Sequence, residues 1–264
     1  MKRFLLTSCT GIALALGGCA TAGTPDADTA AVSTPAAPSG PALWKVADED
    51  TTIYLFGTVH VLPADVEWYD EDIAAALENA DTLVTEIPAD AMEDPALQAA
   101  IMQKAMLPEG QTLRQMLSAE DRAVYEQALG KLGMPPAAFD RFEPWFAGMT
   151  LSVLPLIQKG YDPESGVEKI VEAAASKTAQ RAALETVGQQ IDFFDTLPAE
   201  SQTEFLMALA RDLDGMVSMM DEMVAEWLEG DADGLAEIMN KSMTDPVVAA
   251  ALLYNRNERW AEWI

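Results

Sequence analysis

His60 is the only histidine in the chain, so any chemistry that needs an imidazole, whether proton transfer or metal ligation, falls to that one residue. It closes the run Tyr54-Leu55-Phe56-Gly57-Thr58-Val59-His60, an apolar strand pattern that ends in a glycine, a hydroxyl and the imidazole. Gly57 would allow a backbone geometry, or the close approach of a ligand or cofactor, that a Cβ would block. A second apolar run, Thr82-Leu83-Val84-Thr85, ends in Glu86, and the segment between the two, Asp70 to Ala80, carries the apolar spacing of a helix. Strand, helix and strand make a βαβ unit. Its two strands are parallel, so His60 and Glu86 are expected at the same carboxyl edge, where open α/β sheets bind ligands. Each also has a structural use: a strand-end histidine can cap a carbonyl, and a carboxylate can be an ordinary loop acid.

Two further places carry polar chemistry. Asn255-Arg256-Asn257-Glu258-Arg259-Trp260 is a polar cluster on an otherwise apolar helix, in which Arg256 can grip a carboxylate with two parallel hydrogen bonds and Asn257 can orient one. The plainer alternative is an ion pair on the helix surface. Glu185 follows Gln180-Arg181-Ala182-Ala183-Leu184, a weak strand candidate, and taken alone is no different from a surface acid.

The elements that must hold these groups follow from the rest of the chain. With 264 residues and 50% hydrophobic content, it has enough apolar mass for one large domain or two small ones. Residues 1–18 read as a lipoprotein leader: Lys2-Arg3, an apolar stretch from Phe4 to Leu16, and Leu16-Gly17-Gly18-Cys19 as the lipobox. The stretch is too short for a permanent span of a hydrocarbon core about 30 Å thick. Cys19 is therefore the expected lipidation site and the membrane anchor, and the alanine after it points to the bacterial outer membrane. Cys9 leaves with the leader, so no disulfide and no thiol nucleophile is expected in the mature chain.

Residues 19–41, rich in Ala, Thr, Pro, Ser and Gly, read as a tether, and 42–264 as the folded domain. The formal charge of −27 becomes two units more negative without Lys2 and Arg3, which excludes nucleic acid as a partner.

Within the domain, Leu43 to Val46 and Thr51 to Phe56 read as a hairpin turning through Ala47-Asp48-Glu49-Asp50. Residues 95–176 read as a helical insertion punctuated by Pro108, Gly110, Pro135-Pro136, Pro144, Pro155 and Pro163. Helices are expected over Ala199 to Leu213, Gly215 to Glu229 and Asp231 to Ser242. A last helix opens with Asp245 as its cap and Pro246 as its first residue. Met216, Met220, Met223, Val224 and Trp227 fall at helical spacing and are read as core, not as a methionine-rich binding stripe. The last helix runs to Glu262-Trp263-Ile264 without a stop signal.

Taken in order and spacing, a set of motifs resembles the TraB/PrgY/GumN family, related to the Tiki proteases and more distantly to erythromycin esterase. The set comprises Pro41-Ala42-Leu43-Trp44, the run ending in Gly57-Thr58-Val59-His60, the strand ending at Glu86, Glu143-Pro144-Trp145 and Gly166-Val167-Glu168. It continues with Leu184-Glu185-Thr186 and Gln189, Leu197-Pro198 before Gln202, Trp227-Leu228-Glu229-Gly230-Asp231, and Arg256-Asn257 ahead of Trp260.

The resemblance implies an α/β fold, a partly parallel sheet core with a large helical insertion. From the Tiki branch it implies an envelope metal-dependent hydrolase, plausibly a peptidase acting on a peptide or protein substrate. Its implied roles are His60 and Glu86 as metal ligands, Glu86 also as the base for a metal-bound water, and Glu185, Arg256 and Asn257 as catalytic groups that orient ligand or substrate. Family members carry a second Gly-x-x-His after the Arg-Asn-x-x-Trp helix that this sequence lacks. The expectation is accordingly a truncated form without its C-terminal strands, and any metal site would be oxygen-rich, suiting manganese or magnesium better than zinc. The rival reading is a non-catalytic binding or regulatory module of the envelope, or a form made inactive by truncation.

Overall fold

The computed structural model describes residues 2–8, 40–243 and 245–264, the first stretch by its backbone alone. Lys2–Ser8 form strand β1. The expected hairpin follows: β2 (Leu43–Ala47) pairs antiparallel with β3 (Thr51–Gly57), and Asp48 closes the turn by accepting from the amides of Asp50 and Thr51. After His60 comes a short strand, β4 (Leu62–Pro63), then helix α1 (Glu71–Glu78) and strand β5 (Thr82–Thr85). Helix α1 starts where it does because the Asp70 carboxylate accepts from the amide of Ile73. All four residues of β5 are buried, as expected of a strand covered on both faces.

The helical insertion is present as α2 (Pro95–Ala105), α3 (Leu113–Met116), α4 (Ala119–Lys131) and α5 (Pro144–Gln158). Pro95 and Pro144 occupy first helical positions, where the missing N–H has no partner to lose. Pro155 was expected to interrupt the helix, but α5 runs through it. The residue is buried and lies within one turn of the helix end, so packing holds the turn together. The insertion returns to the sheet through β6 (Tyr161–Asp162), which pairs antiparallel with β4, and through α6 (Val167–Ala174). Strand β7 (Gln180–Ala183) forms despite its poor propensity because β5 offers it an unpaired edge.

The remaining elements are α7 (Val187–Asp195), α8 (Ala199–Arg211), α9 (Leu213–Glu229), α10 (Ala232–Ser242), α11 (Pro246–Ala249), a π-helical turn over Ala250–Tyr254, and α12 (Asn255–Trp263). Asp245 caps α11 as expected, accepting from the amides of Val247 and Val248. On α9, Val224 and Trp227 are buried, while Met216 and Met220 pack against the core from partly buried positions. The stripe is therefore packing surface.

The main sheet has the order β2-β3-β1-β5-β7, and β3, β1, β5 and β7 are all parallel. Phe56, Leu83, Ile73, Leu77, Val167, Val171 and Trp227 form the core under it, and Leu113, Tyr125, Leu129, Leu151, Leu206 and Met207 a second core in the helical half. Lys2–Ser8, which the sequence reads as the start of a leader, form the central strand. Both neighbours present backbone groups to that position, and an extended apolar run satisfies them on two sides. The rest of the leader, Cys19 and the tether lie outside the described residues. Among the described residues no helix is long and apolar enough to cross a membrane.

Candidate functional site

Three of the residues singled out above sit just past parallel strands at one edge: His60 after β3, Glu86 after β5 and Glu185 after β7. The ladder between β5 and β7 continues beyond the strands. Leu184 donates its amide to Thr85 at 2.9 Å, and Glu185 donates to the carbonyl of Glu86 at 2.8 Å. Two adjacent buried carboxylates would repel each other in a site of low polarity, so the arrangement needs a cation.

Arg256 supplies it from α12. Its Nη2 lies 3.0 Å from Glu86 Oε1 and 2.9 Å from Glu185 Oε2, and its Nε is 3.1 Å from Glu185 Oε1. All three side chains are at least nine-tenths buried. The guanidinium lies over the rings of Trp260 and Phe193, and its Nη1 donates to Leu252. Burial pulls the Arg256 pKa down, and hydrogen bonds and charges from Glu185 and Glu86 more than reverse that, leaving it above its usual value.

The surrounding groups complete the cluster. The Trp260 indole donates to Glu185 at 3.1 Å, Arg259 reaches Glu185 at 3.4 Å, and the Gln190 amide donates to Glu86 at 2.9 Å and to Glu185 at 3.3 Å. The π-helical turn immediately before α12 resets the helix phase ahead of Arg256, a use of π-turns common at functional positions. Beside the cluster lies a cavity of about 540 Å³, lined in part by Phe193, Leu197, Val247, Asn255 and Arg259.

His60 is held differently. The insertion delivers Gly166 against its backbone, so closely that a Cβ there would collide with the His60 carbonyl oxygen. Val167 donates its amide to Val59 at 3.0 Å. Glu168 is thereby set between two partners: it accepts from the Thr58 hydroxyl and faces His60 Nδ1 at 3.4 Å. The imidazole side chain is 61% exposed, so with Nδ1 engaged, Nε2 is the nitrogen left to act on a ligand or water. Desolvation lowers the His60 pKa. The Glu168 hydrogen bond and charge, with the charge of Glu86, outweigh it, so the pKa stands above 6.5; Arg256 opposes weakly.

Of the residues picked from the sequence, Glu86, Glu185 and Arg256 therefore meet directly, and His60 is held apart by Glu168 past the end of β3. The Asn257 side chain takes no part in the cluster's hydrogen bonds, because on α12 it falls one position round from the face that Arg256 and Trp260 present. Gly57 has an ordinary φ, and nothing lies within 4 Å of where its Cβ would be, so the backbone does not require a glycine there. Its carbonyl instead accepts from the Trp227 indole at 2.9 Å. Glu168, Gln190 and Phe193 went unrecognised as site residues. Only Glu168 left a signal, as part of Gly166-Val167-Glu168.

Among the described residues no three His, Cys, Asp or Glu side chains gather in a metal-holding group. The carboxylate proposed as a ligand, Glu86, already faces the charge of Arg256, and Nδ1 of His60 faces Glu168.

Comparison with known proteins places residues 42–264 under the model of the TraB/PrgY/gumN family. No match was found among curated proteins or among solved structures.

Proposed function

Because the chain belongs to the TraB/PrgY/gumN family, we propose that it is an envelope hydrolase, lipid-anchored through Cys19, in which His60 serves as a general base without the help of a metal. The observation that carries this reading is the His60–Glu168 pair at the carboxyl edge of parallel strands. A carboxylate faces one ring nitrogen of an imidazole whose side chain is exposed. Glu168, itself tied to Thr58, holds the tautomer with the proton on Nδ1 and stabilises the imidazolium formed when Nε2 takes a proton from water. The water oxygen then attacks an acyl carbon of an ester or amide, and the imidazolium returns the proton to the leaving alcohol or amine as the C–O or C–N bond breaks. The buried Glu86–Arg256–Glu185 cluster positions the β5 and β7 ends and the last helix around that point.

The test is turnover of a panel of fluorogenic esters and peptides by the wild type and by His60→Gln, each with and without a chelator. Loss of turnover in His60→Gln together with indifference to the chelator supports the reading. Turnover that persists in the variant, or that disappears on chelation, defeats it.

A second reading, a binding or regulatory module, is favoured by one observation: Arg256 is paired with both buried carboxylates, so all three groups are engaged with one another. It predicts no turnover with any substrate and ligand binding that survives His60→Gln.

A further inference from the structure

The centre of a parallel sheet is the place where a strand is hardest to replace, because its backbone is paired on both sides. Here that place belongs to Lys2–Ser8. The strand runs alongside β3 for its whole length, from Lys2 opposite Thr51 to Ser8 opposite Gly57, and alongside β5 from Phe4 opposite Thr82 to Leu6 opposite Val84. The same residues carry the basic start and the first apolar positions of a leader whose cleavage point is read at Cys19. Neighbouring strands are about 4.8 Å apart, so β3 and β5 are separated by roughly 10 Å and cannot bond to each other across the gap. Taking β1 away would leave two facing rows of unpaired N–H and C=O groups, the arrangement that binds an added strand.

We propose that Lys2–Ser8 is a detachable strand. Processing of the leader empties a slot between β3 and β5, and that slot accepts the same segment again, in parallel register, when it is supplied in trans. The proposal rests on the leader reading and not on the hydrolase reading. It has a consequence for the site, because Ser8 ends level with Gly57, three residues before His60. The strand in the slot is the spacer that sets the distance between the end of β3, which carries His60, and the end of β5, which carries Glu86. Occupancy of the slot is therefore read at the carboxyl edge.

The experiment is amide hydrogen exchange on the unprocessed chain and on the chain processed before Cys19, with mass spectrometry to establish whether residues 1–18 are gone. The expected result is that amides of β3 and β5 lose at least about tenfold of their protection on processing and regain it when a synthetic peptide of Lys2–Ser8 is added. Amides of α4, in the separate helical core, serve as the control for overall folding and should not change. Confirmed removal with unchanged protection, or with no response to the peptide, overturns the proposal.

If mass spectrometry shows the leader retained, the leader reading fails by itself and the slot is tested by Leu5→Pro in the full chain. That substitution removes a ladder donor from the central strand. Lost protection in β3 and β5 that the peptide restores supports the slot. Protection that is unchanged, or a collapse that also takes α4 and that the peptide cannot rescue, overturns it.

Discussion

The amide of Glu185 donates to the carbonyl of Glu86 at 2.8 Å, so two carboxylates separated by nearly a hundred positions in the chain are locked side by side at the edge of one sheet. Neither can move away from the other without breaking the extension of the β5–β7 ladder. The cluster is therefore a charge problem solved by Arg256, and the solution has measurable consequences.

Arg256→Ala removes the one cation that bonds both buried carboxylates. The expected loss is about 3–5 kcal/mol in urea unfolding, the usual cost of removing one partner from a buried ionic group. Arg256→Lys should recover only part of it, because a point charge cannot bond both carboxylates as the guanidinium fork does. A loss below about 1 kcal/mol for the alanine variant would mean that the cluster does not hold the last helix in place.

His60 titrates above 6.5 because Glu168 favours the imidazolium more than desolvation disfavours it. An NMR titration should show this directly, and Glu168→Gln should bring the value down. The sign for stability follows. The His60 contribution is fully present below the unfolded pKa near 6.5 and is lost as pH rises through the raised folded value. Turnover should run the opposite way, rising across the same interval, because the base acts only when neutral. A rate that falls there would contradict the role given to Nε2.

Gly166→Ala and Gly57→Ala should behave differently although both glycines flank His60. At Gly166 the new methyl meets the His60 carbonyl oxygen, and at Gly57 it enters open space. The expectation is a loss of about 1–3 kcal/mol and a displaced Glu168 in the first variant, against near-wild-type stability in the second. Thermal unfolding and the His60 titration of each variant check it.

Asp245 accepts from the amides of Val247 and Val248 at 2.7 and 3.3 Å, capping the helical stretch that leads through the π-turn to Arg256. Asp245→Ala should cost about 1 kcal/mol, the ordinary value of a helix cap. A much larger loss would show that the cap also fixes the approach of Arg256 to the carboxylates.

Local chemistry decides most of the elements, and these were legible in the sequence. The Asp48 turn and its hairpin, the Asp70 and Asp245 caps, the proline-punctuated helical insertion and the strands ending at His60 and Glu86 each depend on residues close together in the chain. The parallel relation of β3 and β5, and with it the common edge for His60 and Glu86, also follows from a short crossover. Only the tertiary structure decided who meets whom at that edge. Arg256 reaches Glu86 and Glu185 from the far end of the chain through a π-turn, and Glu168 is set against His60 by a loop whose glycine has no room for a side chain. Asn257, next to Arg256 in sequence, stays out of the cluster's hydrogen bonds because successive residues on a helix lie about 100° apart. The tertiary structure alone also places Lys2–Ser8 at the sheet centre, since a strand's partners are set by which unpaired edges the rest of the fold leaves open, and no local pattern records that.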